Sequence, residues 1–227
     1  MIKEFWWQYI IYAIVCYLLC NFNFAVFISK KFKHRDIRNM GSGNPGTTNM
    51  FRAFGLKVGI LTFICDALKG AICSLGGILL FKALAGGFTS SPSNEIMNVA
   101  LFGGYIGGFF AGLGHVFPAF YHFKGGKGFA TGVGVFLVLS PLCAILSLIL
   151  GFVLLLFIDR MSIFALLFFT IITLESAITL LPSRWYLFAL TAMYYVLVIF
   201  AHRSNIKRLY LGTENPMGIS NIFKKKG

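Results

Sequence analysis

Apolar residues in this chain gather into six long runs, at positions 5–28, 56–81, 96–121, 128–158, 161–181 and 185–201. A membrane-crossing helix needs about 20 mostly apolar residues, and the runs are of that order or longer. The first run exceeds the ~7–15 residues of a secretory h-region and no A-x-A-like cleavage site follows it, which predicts one uncleaved spanning helix. The run at 128–158 is 31 residues long and contains Pro141. Proline lacks an amide donor and disfavours helix at the residue before it. This run therefore divides into a short helix to about Leu139 and a second helix from Pro141 to Ile158. The pattern predicts an all-α, polytopic membrane protein of about seven transmembrane helices, forming a single domain over 1–227. No repeat of 20–50 residues interrupts it.

Three polar stretches rich in Gly, Asn, Lys and Arg separate the runs, at 29–54, 122–128 and 202–227. Lys30, Lys31, Lys33, Arg35 and Arg38 follow the first run, whereas Lys3 before it is offset by Glu4. The positive-inside rule then puts the N-terminus outside and 29–54 in the cytoplasm. Two passes return the chain to the cytoplasm at 122–128. The third stretch carries Arg203, Lys207, Arg208 and Lys224–Lys226 and belongs on the same side. An even number of passes must lie between the second and third stretches, and the division at Pro141 supplies it. The short first half either crosses fully or re-enters.

Composition agrees and excludes a soluble domain. Hydrophobic residues make up 58% of the chain and charged residues 12%, against about 45–50% and 25% in an average soluble domain. The 20 Lys+Arg against 7 Asp+Glu leave a formal charge of +13. By position, 16 of the 20 fall on the expected cytoplasmic side, facing anionic headgroups. The five cysteines (16, 20, 65, 73, 143) all lie in apolar runs with no C-x-x-C and no His nearby in sequence. They are expected as buried small side chains, in neither disulfides nor a metal site.

Candidate chemistry sits in the polar stretches. The first contains Gly41, Gly43 and Gly46, which permit positive φ and close backbone approach. Ser42, Thr47, Thr48 and Asn49 add donors, and Arg52 adds a planar fork suited to phosphate. Thr47 or Thr48 is placed to cap a helix through Arg52, aiming its free amides at an anion; the plainer alternative is a tight turn. In the second stretch, Gly125, Gly126 and Gly128 interleave with Lys124 and Lys127 as a backbone nest with two ammonium groups, or simply as a flexible basic loop. In the third, His202 and Asn205 are i, i+3 on a continuing helix and share a face.

Within the apolar runs, Asp66 and Lys69 stand out, since a charge at mid-helix costs about 2.5–3.5 kcal/mol on the translocon scale. Their spacing allows a mutual pair, equally consistent with a structural tie and with a site wall. Glu175 has no assignment. Gly103 with Gly107, and Gly104 with Gly108 and Gly112, give overlapping G-x-x-x-G spacings that predict close helix packing.

Together the stretches resemble the bacterial membrane acyl-phosphate:glycerol-3-phosphate acyltransferases, the PlsY family. The resemblance rests on Gly41-Ser-Gly-Asn-Pro-Gly-Thr-Thr-Asn-Met-Phe-Arg52, on Gly114-His-Val-Phe-Pro118 with Phe123-Lys-Gly-Gly-Lys-Gly128, and on His202-Arg-Ser-Asn-Ile-Lys-Arg-Leu209. Asp66-Ala-Leu-Lys-Gly70 matches the family's D-x-x-K-G. It implies an enzyme of the bacterial inner membrane, with its site on the cytoplasmic side, that moves an acyl group from acyl phosphate to the 1-hydroxyl of glycerol 3-phosphate. No cofactor or metal is expected. The family's phosphate-binding set falls on Ser42, Arg52 and a lysine, with Lys124 preferred over Lys127. Its His and Asn fall on His202 and Asn205, with Gly43, Asn44, Gly46, Thr48 and Asn49 in the first-motif pocket and Ser162 matching a family serine. His202 acts either as general base or as an orienting group while a substrate phosphate takes the proton. Functional coupling to an enzyme that makes acyl phosphate is a further expectation. The chain departs from the family at Cys20-Asn-Phe-Asn23, at Thr47 and in a longer loop over 86–95.

Other classes fit less well. The residues five after His34, His115, His122 and His202 are Asn39, Phe120, Lys127 and Lys207, so the H-x-x-x-x-D of acyltransferases using acyl-CoA or acyl carrier protein is absent. Gly128 after Lys127 breaks a Walker A loop. A phosphate transporter would need more polar groups inside the bilayer than Asp66, Lys69 and Glu175. The basic loops lack the interleaved aromatics of a nucleic-acid binder, apart from Phe51 and Phe54.

Overall fold

The computed structural model describes residues 1–86 and 92–218; part of the loop over 86–95 and Lys224–Lys226 lie outside the described residues. Within them the chain is all-helical: α1 (Trp6–Cys20), α2 (Phe24–Lys33), α3 (Thr47–Phe54), α4 (Leu56–Leu84), α5 (Asn94–Val116), α6 (Phe129–Leu139), α7 (Pro141–Ile158), α8 (Met161–Thr179), α9 (Leu181–Ala201) and α10 (Arg203–Tyr210). Among the described residues, six segments are long and apolar enough to cross a membrane. The seventh, α6, has 11 residues, about 16 Å of helix against a hydrocarbon core of roughly 30 Å. The division at Ser140–Pro141 falls where the proline placed it.

The first run is not one helix. Asn21–Asn23 breaks it: the Asn23 side chain accepts from the Val26 amide at 2.9 Å and starts α2. The carbonyls freed at the end of α1 are taken up by Lys69, whose Nζ donates to Cys20 O at 3.4 Å and Phe22 O at 3.1 Å. A buried ammonium at a helix C-terminus also complements the dipole there. The departure from the family at Cys20-Asn-Phe-Asn23 and the intramembrane lysine are thus two halves of one feature.

Close helix contacts are made where glycine removes the side chain. A Cβ on Gly77 would overlap the Gly103 backbone, and one on Gly107 the Cys73 carbonyl, so α4 and α5 meet along the expected small-residue stripe. On its other side α4 receives α6: Gly134 lies against the Ala67 carbonyl and Gly70 against that of Thr131. Around α6 the core is aromatic. Phe129 packs against Phe164, Phe168 and Phe169, and Tyr194 stacks on Phe169. Large apolar side chains such as Ile10, Ile14, Leu61, Ile72, Leu146 and Ile149 remain exposed, which suits a lipid surround. All five cysteines are free; Cys16, Cys20 and Cys73 are buried as expected, while Cys65 and Cys143 are only half-buried.

The chain alternates direction so that the segments after α2, α5, α7 and α9 contribute to one cavity. That convergence places the three polar stretches together.

Candidate active site

The cavity, about 740 Å³ including its open mouth, is lined from the first stretch by Ser42, Asn44, Gly46, Thr48, Asn49 and Arg52. Lys127 and Gly128 come from the second stretch, Ser162 from the start of α8, and His202 and Asn205 from the third. Residues as far apart in sequence as Ser42 and Asn205 thereby share one cavity.

The first loop is built around Asn49. Its Nδ2 donates to Ile37 O at 3.3 Å and Met40 O at 2.9 Å, and its Oδ1 accepts from the Ser42 amide at 3.2 Å. Gly41 turns this corner at φ +54°, and a Cβ there would strike Asn49 Oδ1. The helix start differs from expectation. Gly46 is the N-cap of α3, no side chain caps it, and Thr47 and Thr48 are already helical. The first amides of α3 are thus left without a threonine cap, at the cavity wall.

The second loop packs on the end of α5. Gly125 N donates to Val116 O and Gly126 N to His115 O, both at 3.1 Å. The amides at 125 and 126 therefore serve the fold and are not a free nest. The two glycines are needed because a Cβ would strike the His115 carbonyl at 125 and the His115 ring at 126. Gly128 sits at φ +80° and its carbonyl accepts from Tyr194 Oη at 3.1 Å, tying the loop to the aromatic core.

This arrangement separates the two lysines. Lys127 lines the cavity and donates to Asn205 Oδ1 at 2.5 Å. Lys124 is exposed and lines an adjoining cavity with Gly43, Gly125 and Gly126, outside the one that holds His202. Burial, with Arg208 and Arg52 nearby and against the pull of Glu214, pushes the Lys127 ammonium down to about 8.

The helix carrying His202 does not continue. His202 is the junction between α9 and α10, at φ −93° and ψ 5°, yet it and Asn205 still face the same cavity. Its Nδ1 lies 2.9 Å from Val198 O. A carbonyl only accepts, so Nδ1 carries the hydrogen and Nε2 keeps a lone pair. Burial first, then the Lys127 charge, pushes the imidazole down to about 4, outweighing the Val198 carbonyl and Glu214. It is a neutral acceptor throughout the physiological range.

Glu214, which sequence reasoning passed over, is the hub of the site. Oε1 accepts from Ser162 Oγ at 2.9 Å and Asn205 Nδ2 at 2.6 Å, and Oε2 pairs with Arg208 Nε at 2.7 Å. Burial raises this carboxyl, but the bonds from Asn205, Arg208 and Ser162 outweigh it and hold its pKa below the ordinary value. The following residues form a strap along the cavity wall: Arg52 Nη2 donates to Asn215 O at 3.0 Å and Nε to Pro216 O at 3.1 Å. Asp159 anchors the strap, its carbonyl accepting from Met217 N and its carboxylate from Gly218 N. The available signal was scarcity. Only seven acidic residues occur in the chain, and Asp66, Asp159 and Glu214 all belong to this region.

Three cations (Arg52, Lys127, Arg208) and several amide and hydroxyl donors on one cavity, beside a neutral imidazole acceptor, suit phosphate esters with a reacting hydroxyl. A family model described as glycerol-3-phosphate acyltransferase matches residues 10–212. The chain is similar to glycerol-3-phosphate acyltransferase 2 of Bacillus anthracis, 37% identical over 91% of this chain and 97% of that protein. It is 34% identical to the glycerol-3-phosphate acyltransferase of Finegoldia magna, over 92% and 96%. Among solved structures, it resembles PlsY, an integral membrane glycerol 3-phosphate acyltransferase, in its glycerol 3-phosphate form. There the TM-score is 0.79 and the identity 32%, covering 95% of this chain and 98% of that one. The lysophosphatidic acid form of PlsY gives a TM-score of 0.76 over 92% and 95%.

Proposed function

Because the chain belongs to the glycerol-3-phosphate acyltransferase family, we propose that it transfers a fatty acyl group from acyl phosphate to the 1-hydroxyl of glycerol 3-phosphate. The products are lysophosphatidic acid and inorganic phosphate, and the whole of 1–227 acts as one catalytic domain. The observation that carries this reading is the meeting of Arg52, Lys127, Arg208, His202 and Asn205 on one cavity. Both substrates bear phosphate, and a long acyl chain is best presented from within a bilayer.

Arg52, Lys127 and Ser42, with the start of α3, hold phosphate oxygens. Lys127 takes the role that sequence alone had preferred for Lys124, which lies in the adjoining cavity with Gly43, Gly125 and Gly126. For Arg52 to grip phosphate with its fork, it exchanges the Asn215 and Pro216 carbonyls for phosphate oxygens, which retracts the strap. Asn44, Gly46, Thr48 and Gly128 shape the wall, while Asn49 and Ser162 act through the bonds that fix the first loop and Glu214.

In the reaction, the 1-hydroxyl oxygen bonds to the acyl carbon and the bond from that carbon to the phosphate oxygen breaks. Phosphate departs with the electron pair. The hydroxyl proton passes to a phosphate oxygen, a better match near neutral pH than an imidazole held at about 4. His202 Nε2 accepts a hydrogen bond from the attacking hydroxyl and aims it, and Asn205 sets the Lys127 ammonium. Acyl phosphate is already activated, so orientation and charge neutralisation suffice for most of the acceleration.

The charge bias puts the cavity on the cytoplasmic face of a bacterial inner membrane, where an acyl-phosphate-producing enzyme supplies the donor. The test offers purified protein acyl phosphate, acyl-CoA or acyl carrier protein thioester together with glycerol 3-phosphate, and assays lysophosphatidate. Product from acyl phosphate alone is expected. Product only from a thioester overturns the assigned donor, and no product from any donor overturns the reading.

A further inference from the structure

The cations account for the phosphate end of an acceptor and His202 for its primary hydroxyl, which leaves the secondary hydroxyl unread. Two further cavity-lining residues, Asp66 from α4 and His115 from α5, belong to neither the cation set nor the Glu214 hub. Both are buried, at 1% and 4% exposure. Asp66 Oδ1 is ion-paired with Lys69 Nζ at 3.0 Å and lies 3.6 Å from His115 Nδ1, which has no hydrogen-bond partner. A buried polar atom left in this state is costly, and beside a carboxylate in a functional cavity it points to a ligand. Glu214, by contrast, has both its oxygens filled by Ser162, Asn205 and Arg208.

We propose that Asp66 and His115 form a hydroxyl-recognition floor that reads the secondary hydroxyl of the acceptor, on the reading that the acceptor is glycerol 3-phosphate. Both atoms are closed off from water, so one hydroxyl oxygen serves both, at an ordinary hydrogen-bond length, once it parts the Asp66–His115 pair from 3.6 Å. The hydroxyl donates to Asp66 Oδ1 and accepts from His115 Nδ1–H. The acceptor then lies with its phosphate toward Arg52 and Lys127, its primary hydroxyl toward His202 and its secondary hydroxyl toward α4 and α5. Lys69 keeps the floor in place without competing for substrate, because its ammonium is also held by the carbonyls of Cys20 and Phe22. Those carbonyls keep Lys69 satisfied when Asp66 is replaced.

The discriminating ligand is 3-hydroxypropyl phosphate, which keeps the phosphate and the primary hydroxyl and lacks only the secondary one. Binding of it and of glycerol 3-phosphate to the purified full-length protein is measured by calorimetry, beside turnover with acyl phosphate. A site that hydrogen-bonds a hydroxyl rejects the analogue lacking it, so wild type should favour glycerol 3-phosphate at least tenfold. Asp66→Ala should bring that ratio close to one, and Asp66→Asn, which keeps an acceptor, should restore part of it. If Asp66→Ala does not fold, His115→Phe removes the other arm and should lower the same ratio. Equal binding of the two ligands by wild type, or a variant that weakens both equally, overturns the proposal. Turnover without selectivity sinks the hydroxyl floor and leaves the acyltransferase reading standing; selectivity without turnover does the reverse. Binding of neither ligand overturns both.

Discussion

At the scale of single residues, the protonation states around Lys127 and His202 set how the site responds to pH. Lys127 is held at about 8, so its charge is present below that value and lost above it. The apparent affinity for glycerol 3-phosphate should therefore fall as pH rises through 8, seen as a descending limb in kcat/KM, which reports the free enzyme. His202, held at about 4, is neutral across pH 5.5–8 and should contribute no inflection near 6.5. His202→Gln should accordingly retain turnover within about a hundredfold of wild type, with the pH profile unmoved. Abolished turnover with an altered profile would restore the general-base role. Lys127→Met should raise the KM for glycerol 3-phosphate at least tenfold, since a charge-assisted phosphate bond is lost at a half-buried position. Lys124→Met, in the adjoining cavity, should change it far less.

At the scale of elements, the site depends on how closely α6 approaches α4 and on what holds the strap. Gly134 faces the Ala67 carbonyl with no room for a methyl group. Gly134→Ala should destabilise by about 1–3 kcal/mol through overpacking, seen as a lowered Tm in detergent, and should displace the loop bearing Lys127 at the start of α6. Glu214 ties α8, α10 and the strap through three side chains. Glu214→Gln leaves Arg208 without its partner and should lower both Tm and activity, whereas loss of substrate contact alone would leave Tm unchanged. Melting curves beside acyl-transfer rates separate the two. The elements themselves were largely legible beforehand. The break at Ser140–Pro141 follows from a proline, and the small-residue face of α5 follows from glycine spacing. Asn21–Asn23 was harder: the first run reads as one helix until Asn23 is seen capping α2 and Lys69 is seen taking the freed carbonyls.

At the scale of the whole molecule, the alternation of segments puts the ends of α2, α5, α7 and α9 at one cavity, and the proposed orientation, which rests on the basic bias, turns that side to the cytoplasm. The native cysteines lie in the apolar runs, so single cysteines added at Lys3 and Lys207 can be read against a low background. A membrane-impermeant maleimide applied to intact cells should label position 3 and spare position 207, with both labelled after lysis. The reverse pattern would invert the orientation, and with it the side from which acyl phosphate must come.

Sequence alone settled what depends on neighbours along the chain. Hydropathy, proline and glycine placement and charge bias are local signals, and they yielded the membrane class, the long helices other than the break at Asn21–Asn23, the split run and the three stretches that carry the chemistry. Tertiary structure decided everything that depends on which helix ends meet. It put Lys127 rather than Lys124 beside His202 and left Nε2 of that imidazole as the acceptor. It made Glu214 the hub and brought Asp66 against His115 from two different helices. None of these pairings has a sequence period, because each is fixed by side chains from separate segments packed into one buried space.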